Sequence, residues 1–504
     1  FVSYDMQRRI IFMSMIKIEN LTFSYPTSYD NVFENVSFQI DTNWRLGFIG
    51  RNGRGKTTFF RILSGELEYK GKITSTVSFE YFPYNLSDVN QYTIDIIRNI
   101  SYAEDWEIYR ELSYLELSDD ILYREFLTLS NGEQTKALLA AMFLKRNSFL
   151  LIDEPTNHLD AYGRELLSQY LNRKKGFILI SHDRSFLDGC IDHVLSINRR
   201  NIEIQKGNYS SWQYNKDLKD NFELSQNEKL KKDIKRLSEA ADKVSKWSES
   251  SEKSKFGTRN SGLRPDRGYI GHKSAKMMSR SLNIKERVEK SLNEKSELLK
   301  NYEETEDLKI SVSDFYANRI LALDNISVKY NGKTICSGIS FDINRGEKVV
   351  LQGRNGCGKS SILKLICGDN IDYDGNLYKS AQLKISYIPQ DVSDLHGTIE
   401  DFALKRNIDL SQLLTILKKL GFDRKHFLKD IGSFSEGQKK KTAVAASFCT
   451  PAHIYIWDEP LNYIDIISRI QIENAVMKYS PTLLLVEHDE AFCEKIADKT
   501  IIIK

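Results

Sequence analysis

Five landmarks occur twice in this 504-residue chain, in the same order and at separations of 303 to 306 residues. The pairs are Tyr25 and Tyr330, Lys56 and Lys359, Gly132 and Gly437, Glu154 and Glu459, and His182 and His488. Independent residues do not keep so constant an interval by chance, so the chain is predicted to be a tandem duplication of one domain. Its length suffices for two or three domains with separate cores.

Each repeat contains a glycine-rich segment between an apolar strand and a helical run. The pattern G-x-x-x-x-G-K-[ST] is matched by GRNGRGKT (Gly50–Thr57) and by GRNGCGKS (Gly353–Ser360). Such glycines let successive backbone N–H groups face phosphate oxygens, and the helix N-terminus adds partial positive charge. Lys56 is predicted to reach the β and γ phosphates, and the Thr57 hydroxyl to bind Mg²⁺. One copy alone could be a simple turn, but the duplication removes that alternative.

Carboxylates follow a buried-type strand in each repeat. Four apolar residues precede Asp153 and Glu154, and the same arrangement precedes Asp458 and Glu459. Asp153 is predicted to hold Mg²⁺, and Glu154 to orient and polarise an attacking water molecule. His182 follows another apolar strand and is predicted to contact the γ-phosphate, although an isolated histidine is more often structural.

The segment between the repeats, from Lys216 to Tyr302, is predicted to be a basic helical hairpin with helices of about 30 residues. The stretch from Lys243 to Arg280 contains ten Lys or Arg residues and only three acidic residues, whereas the whole chain has 72 basic and 69 acidic residues. Basic residues interleaved with aromatic residues suit a nucleic-acid surface, and the alternative is a solvated coiled-coil spacer. The candidate contact residues at the tip are Lys255, Phe256, Arg259, Arg264, Arg267, Tyr269 and Lys273.

Composition excludes several classes of protein. Six cysteines occur without a CxxC pair, which argues against a zinc site, an iron–sulfur cluster or a disulfide framework. No stretch approaches the roughly 18 apolar residues of a membrane-spanning helix, so a soluble cytoplasmic protein is expected. The predicted division is an unstructured leader (1–14), a first nucleotide-binding domain (15–207), the hairpin linker (208–308) and a second nucleotide-binding domain (309–504).

Together these motifs resemble the ATP-binding cassette superfamily. LSNGEQ (Leu129–Gln134) and FSEGQ (Phe434–Gln438) are similar to its signature sequence, and both repeats are covered. Two cassettes joined by a charged hairpin resemble the F subfamily (ABC-F), whose members act on ribosomes. The segment DEPTNHLD (Asp153–Asp160) is also similar to the sequence of that subfamily at this position. Excision-repair, ribosome-recycling and structural-maintenance types fit less well, because they carry cysteine-rich modules or place the coil inside one cassette.

The resemblance implies an α/β fold of two P-loop cassettes that bind two ATP molecules head to tail between them. Site one would comprise Tyr25, Gly50, Arg51, Asn52, Gly53, Arg54, Gly55, Lys56, Thr57, Thr58, Asp153, Glu154 and His182, with Ser435 and Gly437. Site two would comprise Tyr330, Gly353, Arg354, Asn355, Gly356, Cys357, Gly358, Lys359, Ser360, Ser361, Gln390, Asp458, Glu459 and His488, with Ser130 and Gly132. The Mg²⁺ ligands would be Thr57 and Asp153 at site one, and Ser360, Gln390 and Asp458 at site two. Tyr84 departs from the pattern, because the family glutamine represented by Gln390 is expected there, so site one is expected to hydrolyse ATP differently.

The resemblance also implies a function. The segment between Tyr84 and Leu129 is too short for the large inserted arm of many F-subfamily members, and this short arm with a long hairpin tip resembles the antibiotic-resistance members. Within that group, Trp44–Thr58 and Tyr455–Asp465 resemble the proteins that protect against lincosamides, streptogramin A and pleuromutilins. Such a protein hydrolyses ATP, enters the tRNA exit site, contacts large-subunit rRNA and tRNA, and acts as a monomer without an obligate protein or membrane partner. The alternatives are a drug-independent translation factor and the ATPase subunit of an exporter.

Overall fold

The computed structural model describes residues 14–26, 31–84, 86, 88–157, 159–197, 202–253, 267–298, 307–330, 332–354 and 356–503. Of the predicted leader, residues 1–13 lie outside this description. The chain divides into two compact units, of which one combines Phe1–Ser210 with Thr305–Lys504 and the other is Ser211–Glu304. The two repeats are therefore packed together within a single unit.

The first repeat alternates strands with helices. Its strands are β1 (Met15–Phe23), β2 (Phe33–Asp41), β3 (Arg45–Ile49), β4 (Lys70–Thr74), β5 (Ser78–Phe82), β6 (Ser148–Asp153), β7 (Phe177–Ile180), β8 (His193–Ile197) and β9 (Ile202–Lys206). Its helices are α1 (Lys56–Leu63), α2 (Thr93–Ser101), α3 (Asp105–Tyr114), α4 (Asn131–Leu144), α5 (Ala161–Asn172) and α6 (Arg184–Cys190). Short 3-10 helices span Asp119–Tyr123 and Phe126–Thr128.

Helices α7 (Tyr209–Lys253) and α8 (Arg267–Leu298) follow, and the second repeat then continues the alternation. Its strands are β10 (Arg319–Tyr330), β11 (Lys333–Asn344), β12 (Lys348–Gln352), β13 (Asp372–Lys379), β14 (Ile385–Ile388), β15 (Ile454–Asp458), β16 (Leu483–Val486) and β17 (Lys499–Ile502). Its helices are α9 (Lys359–Cys367), α10 (Ile399–Lys405), α11 (Leu410–Lys419), α12 (Arg424–Phe427), α13 (Glu436–Cys449), α14 (Ile466–Tyr479) and α15 (Glu490–Ile496). A 3-10 helix spans Ile431–Ser433.

Each repeat has one antiparallel sheet and one mainly parallel sheet. The antiparallel sheets have strand orders β2-β1-β4 and β11-β10-β13, and the larger sheets have orders β5-β6-β7-β3-β8-β9 and β14-β15-β16-β12-β17. In the larger sheets neighbouring strands run parallel, except that β9 pairs antiparallel with β8. The predicted α/β fold of tandem P-loop cassettes is confirmed.

The central parallel strands β6, β7, β15 and β16 are mainly apolar because both of their faces are covered. In β15, Ile454 and Ile456 enter the core beside the antiparallel sheet, whereas Tyr455 and Trp457 enter the core beneath the helices. Successive side chains of a strand point to opposite faces, so one short run serves two cores. In the first repeat, Phe59 of α1 packs between the two sheets, with its ring centroid 5.5 Å from that of Phe48.

Parallel register determines where the acidic residues lie. Asp153 at the end of β6 pairs with Ile180 at the end of β7, and Asp458 pairs with Val486 in the second repeat. The residues that follow these strands therefore meet at the carboxyl edge of each sheet. This is the edge at which open α/β sheets bind ligands.

The second unit contains most of α7 together with α8. Helix α8 has 32 residues, close to the predicted length, but α7 has 45 residues and spans roughly 68 Å at 1.5 Å per residue. The length predicted for the first helix was wrong, because α7 begins at Tyr209 directly after the cassette and continues to Lys253. Among the tip residues, Tyr269 and Lys273 are exposed on α8 and Arg267 is its first residue. Lys255, Phe256, Arg259 and Arg264 lie outside the described residues.

Candidate active sites between the cassettes

The two glycine-rich loops connect a central strand to a helix, β3 to α1 and β12 to α9. The residue before each helix, Gly55 or Gly358, has a left-handed backbone with φ near 95°. A Cβ atom on Gly55 would lie 2.5 Å from Val32 Cγ1, so only glycine fits there. The loop can therefore turn sharply and present the N-terminus of the helix to an anion.

The loop lysines are buried beneath their own loops. Lys56 Nζ donates to the carbonyl oxygens of Gly50 at 2.6 Å and Arg51 at 3.3 Å. Lys359 Nζ donates to the carbonyl oxygens of Gly353 at 2.8 Å and Arg354 at 2.9 Å. Burial lowers the pKa of Lys56, although nearby carboxylates act in the opposite direction. Each ammonium group thus lies within its own loop, against the carbonyl oxygens of the first two loop residues.

A hydroxyl group and a carboxylate converge beside each loop. Thr57 Oγ1 donates to Asp153 Oδ2 at 3.1 Å, and Ser360 is hydrogen-bonded to Asp458. Burial raises the pKa of Asp458 to about 6, and its Oδ1 atom is buried without a hydrogen-bond partner among the described residues. An unpaired carboxylate oxygen beside a hydroxyl fits Mg²⁺, which takes few protein ligands and completes its shell with phosphate and water. The described residues contain no cluster of three His, Cys, Asp or Glu side chains suited to a metal.

The glutamates that follow the magnesium candidates adopt an uncommon backbone. Glu154 has φ 49° and Glu459 has φ 47°, the left-handed region that side chains other than glycine rarely adopt. Each is held by its backbone N–H, which donates at 2.9 Å to the last carbonyl of the neighbouring strand. Glu154 Oε1 lies 3.4 Å from His182 Nε2, and Glu459 Oε1 lies 3.6 Å from His488 Nε2. The structure thus brings together the predicted glutamate and histidine of each repeat.

The surroundings of the two glutamates differ. Burial alone would raise the pKa of Glu459, but contacts with His488 and Gln390 outweigh burial and lower it to about 2. Asn462 Nδ2 also donates to Glu459 Oε2 at 2.6 Å. Burial raises the pKa of Glu154 to about 8, with Asp153 adding to the effect, and its Oε1 atom has no hydrogen-bond partner among the described residues.

A cavity of about 680 Å³ lies between the cassettes at site two. Its first-repeat wall includes Ser130 and Gly132 at the start of α4, where Ser130 caps the helix. The second repeat contributes Tyr330, Gly356, Gly358, Lys359, Ser360, Ser361, Gln390, Glu459 and His488. One cavity therefore contains residues from a phosphate loop and from the opposite signature. Asn355, within the same loop, lies outside the described residues.

Site one is also formed by both repeats. Asn52 Nδ2 in the first glycine-rich loop donates to the carbonyl oxygen of Tyr463 at 2.9 Å. A Cβ atom on Gly437 would lie 2.4 Å from that oxygen and 3.1 Å from Asn52 Nδ2, so glycine allows the close approach. Tyr25 lies beside the loop, and its hydroxyl is 2.9 Å from Thr58 Oγ1.

Sequence reasoning missed several polar residues of the sites. Asn157, Lys136 and Arg164 line the cavity from the first repeat, and Asn462 lines it from the second. The repeat offset carried a usable signal, because Asn157 and Asn462 are both three residues after a predicted catalytic glutamate. The same offset relates Arg164 to Arg469, but only the structure shows the Arg164 guanidinium donating to the carbonyl oxygen of His488 at 3.3 Å.

A family model described as ABC transporter matches residues 33–157 and 336–462, one match in each repeat. The chain belongs to this family. Its predicted ATP hydrolase activity is confirmed, as is the predicted resemblance to the antibiotic-resistance group of the F subfamily. Among the described residues, no helix has both the length and the apolar character needed to cross a bilayer.

Relatives match the cassette chain over nearly its whole length. It is 28% identical to the ribosome protection protein VmlR of Bacillus subtilis, over 97% of this chain and 87% of VmlR. It is 27% identical to the ATP-binding protein Uup of Buchnera aphidicola, over 97% of this chain and 80% of Uup. A crystal structure of an archaeal ribosome recycling factor with a ribosomal stalk protein matches with a TM-score of 0.62 and 18% identity, covering 96% of this chain and 87% of that one. This last match supports the fold.

Proposed function

We propose that the chain is an ABC-F ATPase that binds the ribosome, at the tRNA exit site, and protects it from antibiotics of the peptidyl-transferase centre. The observation that carries the proposal is the near full-length similarity to VmlR, a ribosome protection protein. The linker supports it, because the basic residues concentrated between Lys243 and Arg280 suit RNA. The proposed domain bounds are 15–207, 208–308 and 309–504, within a cytoplasmic monomer.

In the proposed chemistry, Lys359 neutralises the β and γ phosphates, and backbone N–H groups of the loop hold them. Ser360 and Asp458 would hold Mg²⁺, which offsets phosphate charge when bound. Glu459 polarises the attacking water, and His488 contacts the γ-phosphate. Site one would use Lys56, Thr57, Asp153, Glu154 and His182 in the same roles.

Hydrolysis at either site requires the opposite cassette. At site two the start of α4, with Ser130 and Gly132, faces Lys359 across the cavity. Because the ATP phosphates would lie between a loop and the opposite signature, ATP holds the cassettes together and its hydrolysis releases them. This cycle would convert ATP turnover into binding and release of the ribosome.

The experiment combines Glu154→Gln with Glu459→Gln and measures ribosome co-sedimentation with ATP, alongside bacterial growth in a lincosamide or a pleuromutilin. The double variant is expected to stay on ribosomes, and the parental chain to restore growth in the drug. Parental binding without drug protection would instead indicate a drug-independent translation factor. Failure of both proteins to pellet with ribosomes would overturn the proposal.

A further inference from the structure

Exposed aromatic and acidic side chains share one surface of the first cassette, formed by α2, α3 and the 3-10 helix Asp119–Tyr123. We call it the acidic aromatic face and define it by Asp95, Tyr102, Glu104, Asp105, Trp106, Tyr109, Asp119, Asp120 and Tyr123. The exposed fraction is 88% for Tyr102, 61% for Trp106 and 64% for Tyr123. Large aromatic side chains exposed together mark interaction surfaces more often than single exposed residues do.

Side-chain contacts join these elements into one continuous surface. The Tyr109 and Tyr123 hydroxyl groups are 2.9 Å apart, which links α3 to the 3-10 helix. Arg98 Nη2 on α2 donates to both carboxylate oxygens of Asp105 at 2.8 Å, and Arg98 Nη1 lies 3.9 Å from Asp95 Oδ1. Because two carboxylates share this guanidinium, Arg98 leaves the face negatively charged.

The negative charge is specific to the first repeat. Residues 84–128 contain three Arg, no Lys and ten Asp or Glu, whereas the equivalent residues 390–433 contain seven basic and seven acidic residues. In the first repeat, Glu111 is buried against Lys174 and Tyr170, while Asp119 and Asp120 are exposed to solvent. Duplicated segments with the same fold therefore differ by a net charge of seven, so the fold does not require the acidic residues.

The chemistry of the face selects its partner. A negative surface repels nucleic-acid phosphates and anionic lipid headgroups, but it attracts Lys and Arg side chains. Aromatic rings also accept cations on their faces, and Arg110 already lies 5.1 Å from the centre of the Trp106 ring. We propose that the acidic aromatic face binds a Lys- and Arg-rich polypeptide segment, which within the proposed function is a basic protein of the ribosome rather than its RNA.

The first test uses the full chain and a synthetic Lys- and Arg-rich peptide, so it does not depend on the ribosome. Fluorescence polarisation is expected to show binding that weakens at least tenfold in Trp106→Ala with Tyr102→Ala, and in Asp119→Lys with Asp120→Lys. The control changes Leu404 and Leu428 to Ala, since both are exposed on the second repeat at 79% and 92%. Equal peptide binding by all variants would overturn the proposal.

The second test identifies the partner on ribosomes by replacing Tyr102 with a photo-crosslinking phenylalanine analogue. A crosslink to a basic polypeptide, lost when Asp119 and Asp120 are changed to Lys, supports the inference. A crosslink to RNA overturns it. If the parental chain binds the peptide but never pellets with ribosomes, the proposed function fails while the specificity of the face stands. ATP turnover is expected to be unchanged in every variant, because the face lies outside both ATP sites.

Discussion

At the scale of single residues, the two glutamates share a backbone conformation but differ in their hydrogen bonds. Glu459 is contacted by Asn462 and Gln390, which stabilise its charged form. Glu154 is half-buried, and desolvation together with the neighbouring charge of Asp153 disfavours its charged form. Tyr84 occupies the sequence position that corresponds to Gln390. Equivalent positions in a duplicated sequence thus have different chemistry, which favours site two as the faster site.

The first prediction compares single substitutions. Glu459→Gln is expected to lower ATP turnover by about two orders of magnitude, because it removes the water-polarising base from the site that is ionised at neutral pH. The loss of turnover in Glu154→Gln is expected to be several-fold smaller than the loss in Glu459→Gln. Steady-state phosphate release from the two purified variants measures both. Equal losses would show that the hydrogen-bond difference has no kinetic consequence.

The second prediction concerns pH. A carboxylate acts as a base only when ionised, and the raised pKa of Glu154, about 8, leaves it mainly protonated at lower pH. The Glu459→Gln variant depends on Glu154, so its turnover is expected to rise roughly tenfold per pH unit below that pKa and then level off. The Glu154→Gln variant depends on Glu459, whose pKa is about 2, so it provides the flat control. Parallel profiles from pH 6 to 9 would contradict the assignment.

The candidate site residues could be named from the sequence because the motifs are local and repeated. The phosphate loops, the acidic strand ends and the substitution at Tyr84 could all be identified without coordinates. The contact between Arg164 and the His488 carbonyl could not, because it joins residues 324 positions apart in different repeats. No local pattern encodes which polar groups meet across such an interface.

At the scale of elements, strands were easier to predict than the long helices. The sequence predicted an apolar strand before the first glycine-rich segment and another before His182, and the structure has β3 and β7 at these places, because short apolar runs with polar ends suit buried parallel strands. Helix α7 was predicted too short, because its first turns carry Tyr209 and Trp212, two buried aromatic residues that precede the regular apolar seam used for the prediction. Propensity alone does not show where such a helix begins.

The third prediction tests the helical linker. Replacing Arg267 and Lys273 on α8 with Ala, together with Arg264, is expected to abolish drug resistance and leave ATP turnover within about twofold of the parental value. Ribosome binding should weaken only modestly, because phosphate contacts spread over the whole chain would dominate affinity. Growth in drug, phosphate release and co-sedimentation are measured for the same variant.

A matched control changes Lys285 and Arg287, which are exposed farther along α8, to Ala. This variant loses the same kind of charge away from the tip and is expected to keep resistance. Full resistance in the tip variant would support the simpler interpretation of the hairpin as a solvated spacer.

At the scale of the whole molecule, the cassettes are joined by an ion pair that the duplication does not repeat. Arg184, two residues after His182, contacts Glu473 Oε2 of the second cassette at 2.7 Å. Glu473 is 1% exposed and also contacts Lys495 of its own cassette. The equivalent positions at the repeat offset hold Glu490 and Ser168, which cannot form this pair. The two halves of the interface therefore differ in electrostatic contact as well as in catalytic residues.

The fourth prediction is that this ion pair stabilises the closed, ATP-bound arrangement of the cassettes. Arg184→Gln leaves Glu473 buried without its partner across the interface, so the KM for ATP is expected to rise at least tenfold. Lys495→Gln is the matched control, because it removes a partner of the same carboxylate within one cassette and is expected to lower thermal stability with little change in KM. Adding Glu473→Gln to Arg184→Gln removes the unpaired carboxylate, so part of the loss should be recovered. If the two single variants change KM equally, the pair stabilises the second cassette itself and contributes nothing to closure.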